Sequence, residues 1–184
     1  MPAVLAPTAH DLPVTWSVAH YDGPVRDAII AFKDRGRWSL RDALGRALAV
    51  SLAASLGGSD GRVLVVPVPG SPGSVRCRDG DHVRELATVA VRHLRRAGAD
   101  VCVVQGLVGV RRRRDQVGLD RVARAANLSG SMRATSDLAG CRGVVLVDDV
   151  VTTGASLAEA ARALRSAGGE ALGAAVVAAT RRVH

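Results

Sequence analysis

The chain has 184 residues, 48% hydrophobic and 23% charged, enough apolar material for the core of one ordinary domain; global disorder is excluded. Lysine and arginine number 25 against 17 aspartates and glutamates, a formal charge of +8, so a polyanionic partner is expected, either nucleic acid or a small phosphorylated ligand. Aromatic residues make up only 2%, which weakens single-strand binding by base stacking.

Residues 1–20, Pro- and Ala-rich at the start, are expected to be irregular, with one domain over 21–184. The N-terminus lacks a basic n-region and carries Asp11 early, so no secretory signal is expected. Residues 25–35 can form a short helix. Ser39 to Asp42 matches a capping box, and Leu40, Leu44, Leu48, Leu52 and Leu56 then recur every four residues until Gly57 and Gly58 stop the helix. Residues 62–68 are a short apolar run bounded by Gly and Pro, which reads as a buried strand. Asp81 can cap a helix carrying Leu86, Ala90 and Leu94 and ending at Gly98. A second strand is expected over 101–104, loop with a short helical turn over 105–130, and a third strand over 144–147. A helix over 154–167 places Leu157, Ala161 and Leu164 on one face and Glu159, Arg162 and Arg165 opposite. Residues 172–179 complete the set as a buried strand.

Continuously apolar strands alternating with helices predict an α/β fold, a mainly parallel sheet with helices on both faces. The uncharged run 171–180 is too short to span a bilayer, so no membrane span is expected. Cys77, Cys102 and Cys141 lie far apart with no C-x-x-C, and the five histidines have no metal-ligand spacing. A zinc site or disulfide framework is therefore not expected, and a reducing cytoplasm fits.

In parallel sheets ligands bind beyond the carboxyl ends of the strands. After the strand at 144–147 come Asp148, Asp149, Val150, Val151, Thr152, Thr153, Gly154, Ala155 and Ser156, then a helix. Two carboxylates at a strand end can accept hydrogen bonds from the paired hydroxyls of a ribose. Thr152 to Ser156 offers hydroxyls and unpaired N–H groups at a helix start, an anion site. Gly154 lets the backbone approach phosphate with no Cβ in the way. A bare N-cap would account for one threonine but not for two adjacent aspartates, and the further acidic residues of a receiver-type metal pocket are not evident. The ligand that fits is a sugar phosphate. No phosphate loop or dinucleotide fingerprint opens a helix after a strand.

Lys33 is the lone lysine beside 24 arginines, and Asn127 the lone asparagine, the pattern of a GC-rich coding bias. Both are kept as candidates. The isoleucines Ile29 and Ile30 are taken as core.

The run VVLVDDVVTTGAS resembles the phosphoribosyl pyrophosphate (PRPP) signature of type I phosphoribosyltransferases. Tyr21 to Arg26 with Ile29 to Lys33, Val66 to Ser71 followed by Arg76, Arg78 and Gly80, and Arg112 to Leu119 followed by Arg121, Arg124 and Asn127 to Gly130 are similar to the competence protein F (ComF) family. The resemblance covers about residues 21–180. It departs from the family in two places: the cysteine-rich zinc segment is missing, and the usual Arg-Gly-Phe-Asn-Gln stretch reads Arg78-Asp79-Gly80-Asp81-His82.

The resemblance implies phosphoribosyl transfer from PRPP, or a related sugar phosphate, to a nitrogen acceptor, with Mg²⁺ bridging pyrophosphate and ribose oxygens. Asp148 and Asp149 would hold the ribose, and Thr152, Thr153, Gly154, Ala155 and Ser156 the 5′-phosphate. Pyrophosphate would meet Lys33, Pro69, Gly70, Ser71, Arg112, Arg113 and Arg114. By charge alone the arginine-rich stretch reads as a solvated face; the resemblance brings a lid over pyrophosphate level with that, and a nucleic-acid backbone contact is the third alternative. The alternative is a catalytically silent DNA-uptake or recombination accessory protein, with DNA or the competence machinery as partner. A homodimer is left open.

Overall fold

A computed structural model describes residues 3–5, 12–57, 61–70, 81–110, 130–138 and 143–180. Its main sheet has six strands in the order β1 (Ala3–Leu5), β2 (Thr15–His20), β8 (Ala171–Ala179), β7 (Val144–Val151), β3 (Val63–Pro67) and β4 (Val101–Val103). All neighbours run parallel except β1, which pairs antiparallel with β2. The central strands β7 and β8 are almost continuously buried, as expected of strands covered on both faces.

One face carries α1 (Gly23–Asp34), α2 (Arg41–Ser55) and α3 (His82–Arg96), whose Ile29, Phe32, Leu48, Leu52 and Leu86 pack on Val145, Val147 and Val177. The other carries α4 (Ala155–Ser166), whose Leu157, Ala161 and Leu164 pack on Val144, Leu146 and Val176. The four-residue leucine spacing buries Leu44, Leu48 and Leu52. On the same helix, an added Cβ at Gly45 would lie 2.5 Å from Val89, so glycine lets α2 and α3 approach closely.

Four expectations are corrected. The segment 1–20 is not simply irregular, because β1 and β2 extend the sheet; β2 reads poorly in sequence since Thr15 and Ser17 are buried polar residues within it. Ser39 does not cap α2. A 3-10 turn over Trp38–Leu40 runs straight into the helix, and the carboxylate of Asp42 bonds Arg46 and Arg92 instead. The stretch 105–130 is not all loop, since Leu107–Gly109 (β5) pairs antiparallel with Met132–Ala134 (β6). Finally, Glu159 does not face solvent.

Glu159 is 5% exposed. Its carboxylate accepts from the backbone N–H of Met132 at 2.9 Å and from Nε of Arg162 at 2.7 Å; Arg162 Nη2 donates to Met132 O at 3.0 Å. Two side chains of α4 thus clamp both backbone polar groups of Met132, and the two-stranded ribbon is held there. Burial would push the Glu159 carboxyl up, but Arg162 and the Met132 N–H outweigh it and hold it below the usual range. Glu159→Ala leaves these donors unpaired, an expected cost of about 2 kcal/mol, seen as a melting temperature lower by roughly 4–8 °C at neutral pH. The stabilisation exists above the unfolded pKa of about 4.3 and is lost as pH falls through the lower folded value, so wild type and variant converge in acid. A variant gap that persists in acid would show that Glu159 acts by packing alone.

Candidate functional site

The strand β7 runs four residues past its expected end, so Asp148 and Asp149 lie within it rather than after it. Successive strand side chains point to opposite faces. Val145 and Val147 face one side and Leu146 the other, but Val150 packs with the first set and Val151 with the second, so the alternation shifts across Asp148 and Asp149, and both aspartates line one cleft. Next to them β3 ends at Pro67, and Val68 N donates to Val147 O at 2.9 Å. At these carboxyl ends opens a cleft of about 510 Å³, a size typical of small-molecule sites.

Asp149 is 4% exposed, and both of its oxygens have protein donors: Lys33 Nζ at 2.6 Å on Oδ2 and Val150 N at 2.8 Å on Oδ1. Asp148 is half-buried, and its Oδ1 accepts from Asp149 N at 2.8 Å. Burial pushes the Asp148 carboxyl well above the usual carboxylate range, and the charge of Asp149 pushes the same way.

The turn after β7 leads into α4 through Gly154, the N-cap residue, with φ +81° and no side-chain capping bond. The threonines therefore do not serve as the cap, although Thr153 Oγ1 accepts a 3.4 Å bond from Ala155 N. Of the five residues expected to hold a phosphate, Thr152 and Ser156 line the cleft. Gly154 is buried, and an added Cβ would lie 2.9 Å from Leu12 Cδ2, so its small size also serves packing. The first turn of α4 presents N–H groups that have no partner within the helix.

Of the residues expected at pyrophosphate, Lys33, Pro69 and Gly70 line the cleft. Ser71, Arg112, Arg113 and Arg114 lie outside the described residues, as does Asn127. Sequence reading missed Tyr21, Asp34, Asp81 and His82, which also line it; Ile29 is buried in the core as expected and, with the half-buried Ile30, also reaches the cleft. Asp81 caps α3 as expected, accepting from Arg84 N at 3.1 Å. The imidazole of His82 is stacked on Trp38, with ring centroids 5.4 Å apart, and meets Phe32 edge-on. The signal for this wall was the place of His82, opening a helix after a strand-end loop, and the gathering of rare residue types over 21–33.

No group of three or more His, Cys, Asp or Glu side chains converges on a metal position among the described residues. Magnesium typically takes one or two carboxylates plus substrate phosphates. Half-buried Asp148, beside the hydroxyl-bearing turn, fits an ion that arrives on the oxygens of its ligand. Likewise, no helix among the described residues is long and apolar enough to cross a membrane.

No curated protein matches the chain. The model of the phosphoribosyl transferase domain matches residues 84–183, which include β7, the turn and α4. With more than half of its length matched, the chain belongs to the phosphoribosyl transferase domain family.

Proposed function

We propose that the protein binds PRPP in this cleft and transfers its phosphoribosyl group to a nitrogen acceptor. The carrying observation is one cleft lined by Asp148, Thr152, Ser156 and Lys33, which offers acceptors for ribose hydroxyls and donors for anions on either side. The 5′-phosphate sits at Thr152 to Ser156, where the dipole and open N–H groups of α4 favour negative charge. The acidic pair faces the ribose. Pyrophosphate lies toward Lys33, Pro69 and Gly70, and by the resemblance Ser71 would add a hydroxyl and the arginines 112–114 positive charge.

The acceptor nitrogen attacks the anomeric carbon as the bond to pyrophosphate breaks, and the acceptor loses a proton. The protein’s part is positioning and charge stabilisation, which needs no nucleophilic side chain. Asp148 would be the residue to help hold a ligand-borne Mg²⁺, which would supply charge neutralisation to the pyrophosphate. The four ComF-like segments in order support membership of that group, and with it a role in competence in the cytoplasm. A DNA partner is supported by the +8 charge.

Calorimetry with Mg²⁺ and PRPP tests the reading. Wild type is expected to bind, and Asp148→Asn with Asp149→Asn to abolish binding while the fold persists. Unchanged affinity in the double variant overturns the ribose assignment. Binding to duplex DNA that weakens steeply with salt, with no PRPP binding, would favour the accessory role.

A further inference from the structure

We propose that the outer face of α3 is a second binding surface, separate from the cleft, which lies against the phosphate backbone of duplex DNA. The inference does not depend on what the cleft binds.

The exposed residues of α3 are Arg84, Thr88, Arg92, Arg95 and Arg96. They fall within about 120° of the helix circumference and span about 18 Å along its axis. The stripe itself holds no carboxylate. Two acids stand beside it, and both are neutralised: Asp42 accepts from Arg46 and from Arg92 at 2.9 Å, and Glu85 accepts from Arg41 at 3.2 Å. Together α2 and α3 carry six arginines and two acids.

The helix dipole accounts for part of this pattern. Cations are favoured in the last turn, which holds Arg95 and Arg96. It does not account for Arg84. With Asp81 as the N-cap, Arg84 is the third helical residue, where the dipole disfavours a cation and glutamate or glutamine would complete a capping box. Among the described residues no carboxylate pairs with its guanidinium. A cation unpaired at the positive end of a helix works against the fold, and an external polyanion lying along the stripe offsets that cost.

The side chains present select among polyanions. Neither α2 nor α3 carries Phe, Trp or Tyr, so unstacked bases meet no ring there, which disfavours a single strand. Neither carries Asn or Gln, so backbone charge is recognised rather than sequence. One strand of a duplex sets a phosphate at about every 3.4 Å of axis, roughly five over the length of the stripe. That ridge can seat at a depression of about 450 Å³ lined by Thr88, Val91, Arg92, Arg95 and Arg96. The cleft lies at the opposite end of the helix, lined by His82 and Val83, about 20 Å from Arg95.

Fluorescence anisotropy of a labelled DNA duplex of about 20 base pairs, across a salt series, tests the surface. For wild type the logarithm of the binding constant is expected to fall by about 3–4 per decade of salt, the slope for about four neutralised phosphates. Arg84→Gln should weaken binding several-fold at low salt and reduce the slope by about 1, and Arg95→Gln with Arg96→Gln should reduce it by about 2. Arg165→Gln, on the opposite face of the sheet, should stay within about 2-fold of wild type. Melting temperatures should lie within about 2 °C of wild type, with Arg84→Gln at or above it. PRPP binding should be unchanged in all of these variants.

A slope unchanged when all three arginines are replaced would overturn the proposal, since the duplex would then be held elsewhere. So would tighter binding of a single strand or of an RNA duplex of the same length. Displacement of the duplex by polyglutamate at equal charge would make the face a seat for an acidic protein, and displacement by PRPP with Mg²⁺ would put the duplex in the cleft; either result overturns the proposal. Absence of PRPP binding in wild type sinks the reading of the cleft alone, because the salt slopes judge this surface by themselves.

Discussion

Gly154→Val is expected to lower the melting temperature and the PRPP affinity together, and the two losses are separable. The residue has φ +81°, a region that costs a β-branched side chain about 1–3 kcal/mol. The new Cβ would also press on Leu12, whose Cδ2 lies 2.9 Å from its ideal position. Together these effects predict a melting temperature lower by roughly 5–10 °C. Tilting the start of α4 also moves the N–H groups proposed to meet the phosphate, and about a 100-fold loss of PRPP affinity is expected, since several charge-assisted bonds would act at once. Adding Leu12→Ala relieves the side-chain contact but not the backbone strain. Melting temperature should then recover in part and affinity should not. Affinity that recovers in step with stability would make Gly154 a packing residue alone.

The parallel sheet was legible because its central strands are uninterrupted runs of small and branched apolar residues, and 144–147 and 172–179 have no other reading. The turn after β7 stood out as a candidate site for a related reason: two acids, two threonines and a glycine between strand and helix have few structural uses. What stayed hidden was tertiary. Thr15 and Ser17 sit in a buried strand because β8 and a local carbonyl satisfy them, so β2 carries no apolar signature. Glu159 looked like a surface residue because helical spacing says nothing about a partner 27 residues away. Asp148 and Asp149 looked equivalent because they are adjacent, whereas Lys33, 116 residues away, pairs with Asp149. His82 looked incidental until α1 and the 3-10 turn brought Phe32 and Trp38 against it. In each case a contact distant in sequence overrode the local pattern, and the cleft is built of such contacts.

Asp148→Asn is expected to stabilise the ligand-free protein while it weakens PRPP binding. The Asp148 carboxyl is pushed well above the usual range, first by burial and then by the charge of Asp149. A raised folded value means that the folded state holds a proton over a window in which the unfolded chain has lost it. Stability is therefore greatest below the unfolded value of about 3.9 and declines as pH rises toward the folded one. The amide cannot ionise, so the variant lacks this decline, and above the window it should melt at a higher temperature than wild type. PRPP affinity should change in the opposite sense. Hydroxyl donors favour the carboxylate, so wild-type affinity should fall as pH drops through the raised value. The variant, already about 10–100-fold weaker at neutral pH, should show no such step beyond the ligand’s own titration. Melts and calorimetry across the same pH series measure both. A less stable variant, or a step in affinity that survives the substitution, would remove Asp148 from the ribose site; the expected pair of results would mark a carboxylate kept, at a cost to the fold, for the ligand it holds.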